Sequence, residues 1–176
     1  MSKPTFQIAV IPGDGIGVDV IAATRAILDA AQKRIGGFTL RYEELIAGAG
    51  YFREPGRDIA PGAEDAAGKA DAILLGAIGL PAVRHEDGTE IAPHLRLRDR
   101  YQLYAGVRPV KAYPNAPQRL ADPRAADIDL VVLRESTEGL FYSAATLNRS
   151  VVVGDDEVRD ILSITRPTTE KLHDFA

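Results

Sequence analysis

The segment that most constrains this chain's fold is Phe6-Gln7-Ile8-Ala9-Val10-Ile11. It is a short apolar run rich in β-branched residues and cut off by Pro12 and Gly13, the pattern of a buried strand. The turn Gly13-Asp14-Gly15-Ile16-Gly17 follows it. An apolar stripe through Val18, Ile21, Ala22, Ile27, Leu28 and Ala31 then marks a helix, which Gly36-Gly37 stops. Residues 38–45 alternate Phe38, Leu40 and Tyr42 against Thr39, Arg41 and Glu43, which predicts a half-buried strand. Residues 63–69 read as a short helix. Residues 70–77, with the core Ala72-Ile73-Leu74-Leu75-Gly76-Ala77, read as a second fully buried strand. Strand, helix, strand, helix, strand predicts an α/β fold with a parallel sheet wrapped by helices.

The character changes after about residue 106. Residues 107–111, 128–134, 149–153 and 158–165 read as strands with little helix between them, and Tyr113-Pro114-Asn115-Ala116-Pro117 is a surface connection. The expected organisation is an α/β lobe over residues 1–105 and the beginning of a smaller, strand-rich lobe over residues 106–176. The segment from Pro167 to Ala176 starts as a helix does, with Pro in the first turn after Thr165, but has no capping signal at its end. A lone helix of that length is marginal, so the chain reads as the front part of something longer.

Composition excludes several classes of function. A formal charge of −4 gives no reason to expect nucleic acid or an anionic membrane as partner. The absence of cysteine removes disulfides and thiolate metal sites. No apolar stretch approaches the ~20 residues of a membrane span, and the N-terminus enters a strand without a signal peptide. A cytoplasmic protein is expected.

Chemistry concentrates in three arginines. Arg98 and Arg108 lie in Leu97-Arg98-Asp99-Arg100-Tyr101-Gln102-Leu103-Tyr104-Ala105-Gly106-Val107-Arg108-Pro109, and Arg134 lies in Val132-Leu133-Arg134-Glu135-Ser136-Thr137-Glu138-Gly139. A guanidinium is a planar, always-charged fork that grips a carboxylate with two prongs. Three converging forks would make a pocket for a small polycarboxylic acid. Arg96 and Arg100 flank Arg98, so a solvated basic face is the competing reading. Against it, Arg108 stands within an apolar strand, where an unpaired charge is costly. Arg134 ends another strand, where α/β ligand sites tend to lie.

The glycine turn does not fit a dinucleotide fingerprint. With Gly13 and Gly15 as the first two glycines, Val18 stands where a third small residue is needed. His85, His94 and His173 have no metal-ligand spacing, and Asp14, Asp87, Asp99 and Asp155-Asp156 form no recognisable carboxylate cage. No complete metal site is expected within these residues.

Taken together, Ile11-Pro12-Gly13-Asp14-Gly15-Ile16-Gly17, Tyr104-Ala105-Gly106-Val107-Arg108-Pro109 and Arg134-Glu135-Ser136-Thr137-Glu138-Gly139 resemble the β-decarboxylating dehydrogenases. That family includes isopropylmalate, isocitrate, homoisocitrate and tartrate dehydrogenases. The resemblance runs from Phe6 to the last residue and corresponds to the family's N-terminal half, so it implies an isopropylmalate dehydrogenase-like α/β fold. It also implies that NAD, or NADP, takes hydride from a 2-hydroxy acid. Mg or Mn then polarises the resulting keto acid while the neighbouring carboxylate leaves. Arg98, Arg108 and Arg134 would grip the substrate, Ile16 would touch the cofactor, and the enzyme would be a homodimer.

Three departures qualify that picture. The family's catalytic tyrosine falls at Phe141, which has no proton to give, and Tyr142 next door is the substitute acid only if the backbone shifts, because adjacent strand residues face opposite ways. The residues that read the substrate's variable group are His94, Leu95 and Arg96: Arg96 hints at a third carboxylate and Leu95 at an alkyl group. Third, the family's metal-binding aspartates and catalytic lysine belong to its second half. The expected activity is oxidative decarboxylation of a 3-isopropylmalate-like acid, with isocitrate, homoisocitrate or tartrate as alternatives. A non-catalytic carboxylate-binding homologue is the reading from another class.

Overall fold

The computed structural model describes residues 3–140, 151–153 and 155–176, which fall into two compact units, Met1–Arg96 and Leu97–Ala176. In the first unit, β1 (Thr5–Ile11) runs into α1 (Ile16–Ile35) and β2 (Thr39–Glu44). Two short helices, α2 (Ala49–Phe52) and α3 (Ala63–Lys69), precede β3 (Ala72–Leu75). The strands form a parallel sheet in the order β2-β1-β3, with Thr5 opposite Thr39 and Ile8 opposite Ala72. This is the α/β architecture expected from the strand–helix alternation, with short right-handed crossovers the standard way to join such strands.

Burial follows position in the sheet. β1 is central, and its second half, Ala9, Val10 and Ile11, is sealed at 0–1% exposure. β3 is an edge strand with only Ile73 and Leu74 half-buried, so the expectation of a second fully buried strand is corrected. The α1 stripe also shifts. Gly17 and Ile21 are buried and Leu28 and Ala31 half-buried, a spacing close to the helical repeat, whereas Val18, Ala22 and Ile27 face outward.

In the second unit the C-terminal end of α4 (Pro93–Arg100) leads into β4 (Ala105–Lys111), and a 3-10 turn (Pro123–Asp127) precedes β5 (Asp129–Glu135). β4 and β5 pair antiparallel from Ala105↔Glu135 to Lys111↔Asp129. β6 (Val151–Val153) pairs with β7 (Glu157–Arg159), and α5 (Arg166–Phe175) closes the chain. The long strand expected over 158–165 stops at Arg159; beyond it Ser163 makes one antiparallel bridge to Gly139. Thr165 caps α5 by accepting the Thr168 amide, with Pro167 in the first turn, as the sequence pattern requires. Among the described residues no helix is long and apolar enough to cross a membrane.

Candidate functional site

The β4–β5 ladder decides where two of the three arginines point. Gly106 pairs with Arg134 and Arg108 with Val132. Directly paired residues of an antiparallel ribbon share a face, as do residues two apart along a strand. Arg108 and Arg134 therefore stand on the same face as diagonal neighbours, a relation of ~7–8 Å between backbones. Gly106 lies opposite Arg134, and a Cβ added there would sit 2.9 Å from Ser136 Oγ and 3.2 Å from the Arg134 carbonyl oxygen. The absent side chain lets Ser136 and the Arg134 backbone pack closely against β4.

The burial argument for Arg108 fails. Arg108 is exposed, as are Val107 and Val110 on either side of Arg108-Pro109, so water carries much of its charge cost. Among the described residues Arg108 makes no ion pair. An exposed cation that no carboxylate neutralises is what an anion site needs. Arg134 is the penultimate residue of β5, at the strand end expected for it, and is also exposed.

Arg98 lies on the last turn of α4. The helix ends in a tight closure: the Leu103 amide donates to the Arg98 carbonyl at 2.9 Å and the Gln102 amide to Asp99 at 3.2 Å. This is the Schellman pattern, with Gln102 at φ +49° in the position usually held by glycine. The turn runs directly into β4, so Arg98 and Arg108 belong to one short helix–turn–strand passage.

Two glutamates that sequence reasoning passed over fasten the loop after Arg134. Glu135 accepts the Thr137 amide and hydroxyl at 2.7 and 2.6 Å and the Glu138 amide at 2.7 Å. Glu138 accepts the Thr165 amide at 2.8 Å and hydroxyl at 2.6 Å, tying the end of β5 to the cap of α5. Burial alone would raise both carboxyls, but these hydrogen bonds hold each below its ordinary pKa. The sequence signal was the alternation of Glu with Thr in Glu135-Ser136-Thr137-Glu138, which is capping and turn chemistry.

In the first unit the glycine turn proves structural. Asp14 is buried, and its carboxylate accepts the amides of Ala49, Gly50 and Gly79 at 2.7, 2.7 and 2.8 Å. Its own amide donates to Ala77 at 2.7 Å, and the Gly17 amide to Asp14 at 2.8 Å. Any Cβ at Gly17 would fall 2.4 Å from the Pro12 carbonyl oxygen, so the first turn of α1 needs glycine for close approach. Two of the turn's own amides, those of Asp14 and Gly17, are thus engaged internally. Ile16, 65% exposed at the start of α1, remains able to meet the apolar face of a nucleoside.

On α4, Arg96 donates to both oxygens of Asp58 at 2.9 and 3.0 Å and to Glu64 at 3.3 Å. His94 and Leu95 are half-buried. The catalytic candidate Tyr142, with Phe141, lies outside the described residues. Among the described residues no three His, Asp or Glu side chains could hold a metal ion.

The family model for isocitrate/isopropylmalate dehydrogenases matches residues 7–176. The 3-isopropylmalate dehydrogenase of Thermobifida fusca is 41% identical over 139 residues, which cover 79% of this chain and 39% of that protein. The decarboxylating D-malate dehydrogenase of Escherichia coli is 35% identical over 140 residues, 79% of this chain and 38% of that protein. A crystal structure of isocitrate dehydrogenase from Methylococcus capsulatus superimposes on 97% of the chain and 46% of its own with a TM-score of 0.72, at 23% identity, a likeness of fold. The chain spans about two-fifths of the length of these curated relatives.

Proposed function

The chain belongs to the isocitrate/isopropylmalate dehydrogenase family, and from that premise we propose that it is the substrate-gripping portion of a β-decarboxylating dehydrogenase. The reaction is NAD-dependent oxidative decarboxylation of a 2-hydroxy-3-carboxy acid of the 3-isopropylmalate kind, with NADP the alternative acceptor. The observation that carries the reading is the shared face of Arg108 and Arg134, with Arg108 exposed and without an ion pair among the described residues. Two forks on one face hold two carboxylates, or two sides of one, and fix the acid's orientation before any bond breaks. Arg98 is the third grip in this proposal.

A nicotinamide cofactor beside Ile16 would supply the acceptor for the hydride at C2 of the acid; loss of the neighbouring carboxylate as carbon dioxide would leave the bonding pair of the broken C–C bond on the keto acid as an enolate, which a proton then quenches. The contribution of these residues is to fix the orientation of the acid's carboxylates relative to the bond that breaks. Ile16 is proposed as an apolar contact for the cofactor's adenosine. Among the described residues no three His, Asp or Glu side chains fit the Mg or Mn ion that the resemblance implies. Assembly as a homodimer is part of the proposal. The half-exposed Val107, Val110, Leu130, Val131 and Val132 on the two faces of the ribbon support further burial there.

Phe141 in place of the family tyrosine favours a second reading, a carboxylate-binding homologue without turnover. Calorimetric titration of the 176-residue chain with malate tests the shared premise. Weak binding is expected, and Arg108→Ala should abolish it; an unchanged titration removes Arg108 from the site. A dehydrogenase assay of the full-length protein over isopropylmalate, isocitrate, homoisocitrate and tartrate then separates enzyme from binder.

A further inference from the structure

Arg134 stands at a weak point of its ribbon. The β4–β5 ladder ends one pair beyond it, at Ala105↔Glu135, and its own partner is Gly106. Cross-strand side-chain pairs stabilise a sheet, and a glycine offers none. The ribbon has two strands among the described residues, and a ribbon of two is marginal by itself in water. Past the ladder, Ser136 donates its amide to the Tyr104 carbonyl at 2.8 Å and its hydroxyl to the Arg134 carbonyl at 3.2 Å. An end so built frays when nothing else holds it, and an arginine on a fraying end keeps no fixed direction.

α5 brackets that end from both sides. At its N-terminus the Glu138 carboxylate accepts the Thr165 amide on Oε2 at 2.8 Å and the Thr165 hydroxyl on Oε1 at 2.6 Å. The same hydroxyl oxygen accepts the Thr168 amide, so one side chain both caps the helix and receives the loop. Beside it, Gly139 and Ser163 exchange amide–carbonyl bonds at 2.7 and 3.4 Å. Toward the C-terminus the Phe175 ring meets Tyr104 nearly at right angles, with centroids 6.4 Å apart. Lys171 Nζ lies 4.1 Å from the centre of the Tyr104 ring. Tyr104 precedes β4 and Glu138 follows β5, so the helix joins the two segments that flank the Gly106–Arg134 pair. None of the residues of α5 is buried, and a helix of that length is marginal alone. Its seat therefore depends on such attachments, and the one at Glu138 sets a charged acceptor against two donors.

We propose that Glu138 is the positioning residue of Arg134: by holding Thr165 it seats α5 across the end of the ribbon, and so fixes the direction in which Arg134 meets a carboxylate of the acid. This inference rests on the assignment of Arg134 to the substrate site above. Glu138 touches no ligand in this scheme. Its two oxygens are occupied by Thr165, and its own amide is held by the Glu135 carboxylate at 2.7 Å. The passage from Arg134 to the helix cap is thus a series of fixed links. Breaking it at Glu138 or at the Thr165 hydroxyl has the same effect on binding, although one change removes a charge and the other does not.

The test is a double-mutant cycle in the 176-residue chain with Glu138→Ala, Thr165→Val and the pair, and with Thr165→Ser as the variant that keeps the hydroxyl. Malate affinity is measured by calorimetry and corrected for the unfolded fraction. The Arg134 Nε–H resonance, assigned by its loss in Arg134→Lys, is followed by ¹H–¹⁵N NMR. Each single variant should weaken malate binding about fivefold or more and move the Arg134 resonance. A shift in Thr165→Val excludes a mere change of local charge. The pair should bind no more weakly than the worse single, because both changes open one latch, and Thr165→Ser should bind as wild type does. Unchanged affinity in either single variant would overturn the proposal. So would additive losses in the pair, or a Thr165→Ser chain as weak as Thr165→Val. If wild type does not bind malate, the substrate-site assignment falls, and the latch is judged by the Arg134 resonance alone: moved in both single variants it stands, unmoved in either it fails. Should Glu138→Ala not fold, Thr165→Val and Thr165→Ser carry the same test.

Discussion

Asp14→Asn should loosen the first unit severely while leaving the arginines of the second unit, Arg98, Arg108 and Arg134, in place. The wild-type carboxylate receives three amides, from Ala49, Gly50 and Gly79. Asparagine keeps one acceptor oxygen and turns an NH₂ group toward at least one N–H donor. Ala49 is fully buried, so an amide left unmet there costs its full desolvation, about 1–3 kcal/mol. Gly50 and Gly79 are exposed, and water can replace their bonds at a loss of about 1 kcal/mol between them. The sum is about 2–4 kcal/mol, a large part of the roughly 5–15 kcal/mol that holds a typical domain together. Thermal unfolding followed by circular dichroism at pH 7 should show a fall of roughly 8–30 °C, taking about 4–8 °C per kcal/mol for a unit of this size. Malate affinity, corrected for the unfolded fraction, should be unchanged. A variant that melts within about 2 °C of wild type would refute the reasoning, because Asp14 could not then be a structural fastener.

Other consequences follow for the second unit. Gly106→Val places a Cβ 2.9 Å from Ser136 Oγ and 3.2 Å from the Arg134 carbonyl; the hydroxyl can swing aside but the backbone cannot, so a cost of about 1–2 kcal/mol and weaker malate binding are expected together, and calorimetry that finds neither would contradict the register of β4 and β5. Gln102→Gly relieves a left-handed conformation at φ +49° but loses the side-chain bond from Nε2 to the Asp99 carbonyl at 2.7 Å; a net gain of about 0.5 kcal/mol in urea unfolding is expected, and a loss would mean the side-chain bond dominates. Glu135 and Glu138 have folded pKa values below their unfolded ones, so the stability they add is full above the ordinary carboxylate range and disappears as pH falls through the folded values. The Thr165 amide should therefore lose exchange protection only on acidification below the ordinary carboxylate range, and in Glu138→Gln that pH dependence should vanish; a pH-independent wild-type amide would exclude Glu138 as its clamp.

What could be read in advance followed from local pattern. The strand–turn–helix passage of residues 6–35, the helix over 63–69 and the capped start of α5 all rest on periodicity and capping, which neighbouring residues settle among themselves. β3 was misjudged because an apolar run does not say whether a strand is central or at an edge; only the pairing order does. Arg108 shows the same limit with the opposite consequence. The sequence argued that an apolar strand would bury and trap its charge, yet the ribbon leaves it exposed, and its case now rests on register and on the lack of an ion pair among the described residues. Asp14 and Arg96 were the least legible, since their partners lie 35 to 65 and 32 to 38 residues away in sequence. Both carry motif-like surroundings that invite a ligand, and both turn out to be engaged with the protein itself. A charged residue within a suggestive motif is thus evidence for a site only once its intramolecular partners are counted; by that measure Arg108 passes and Arg96 does not.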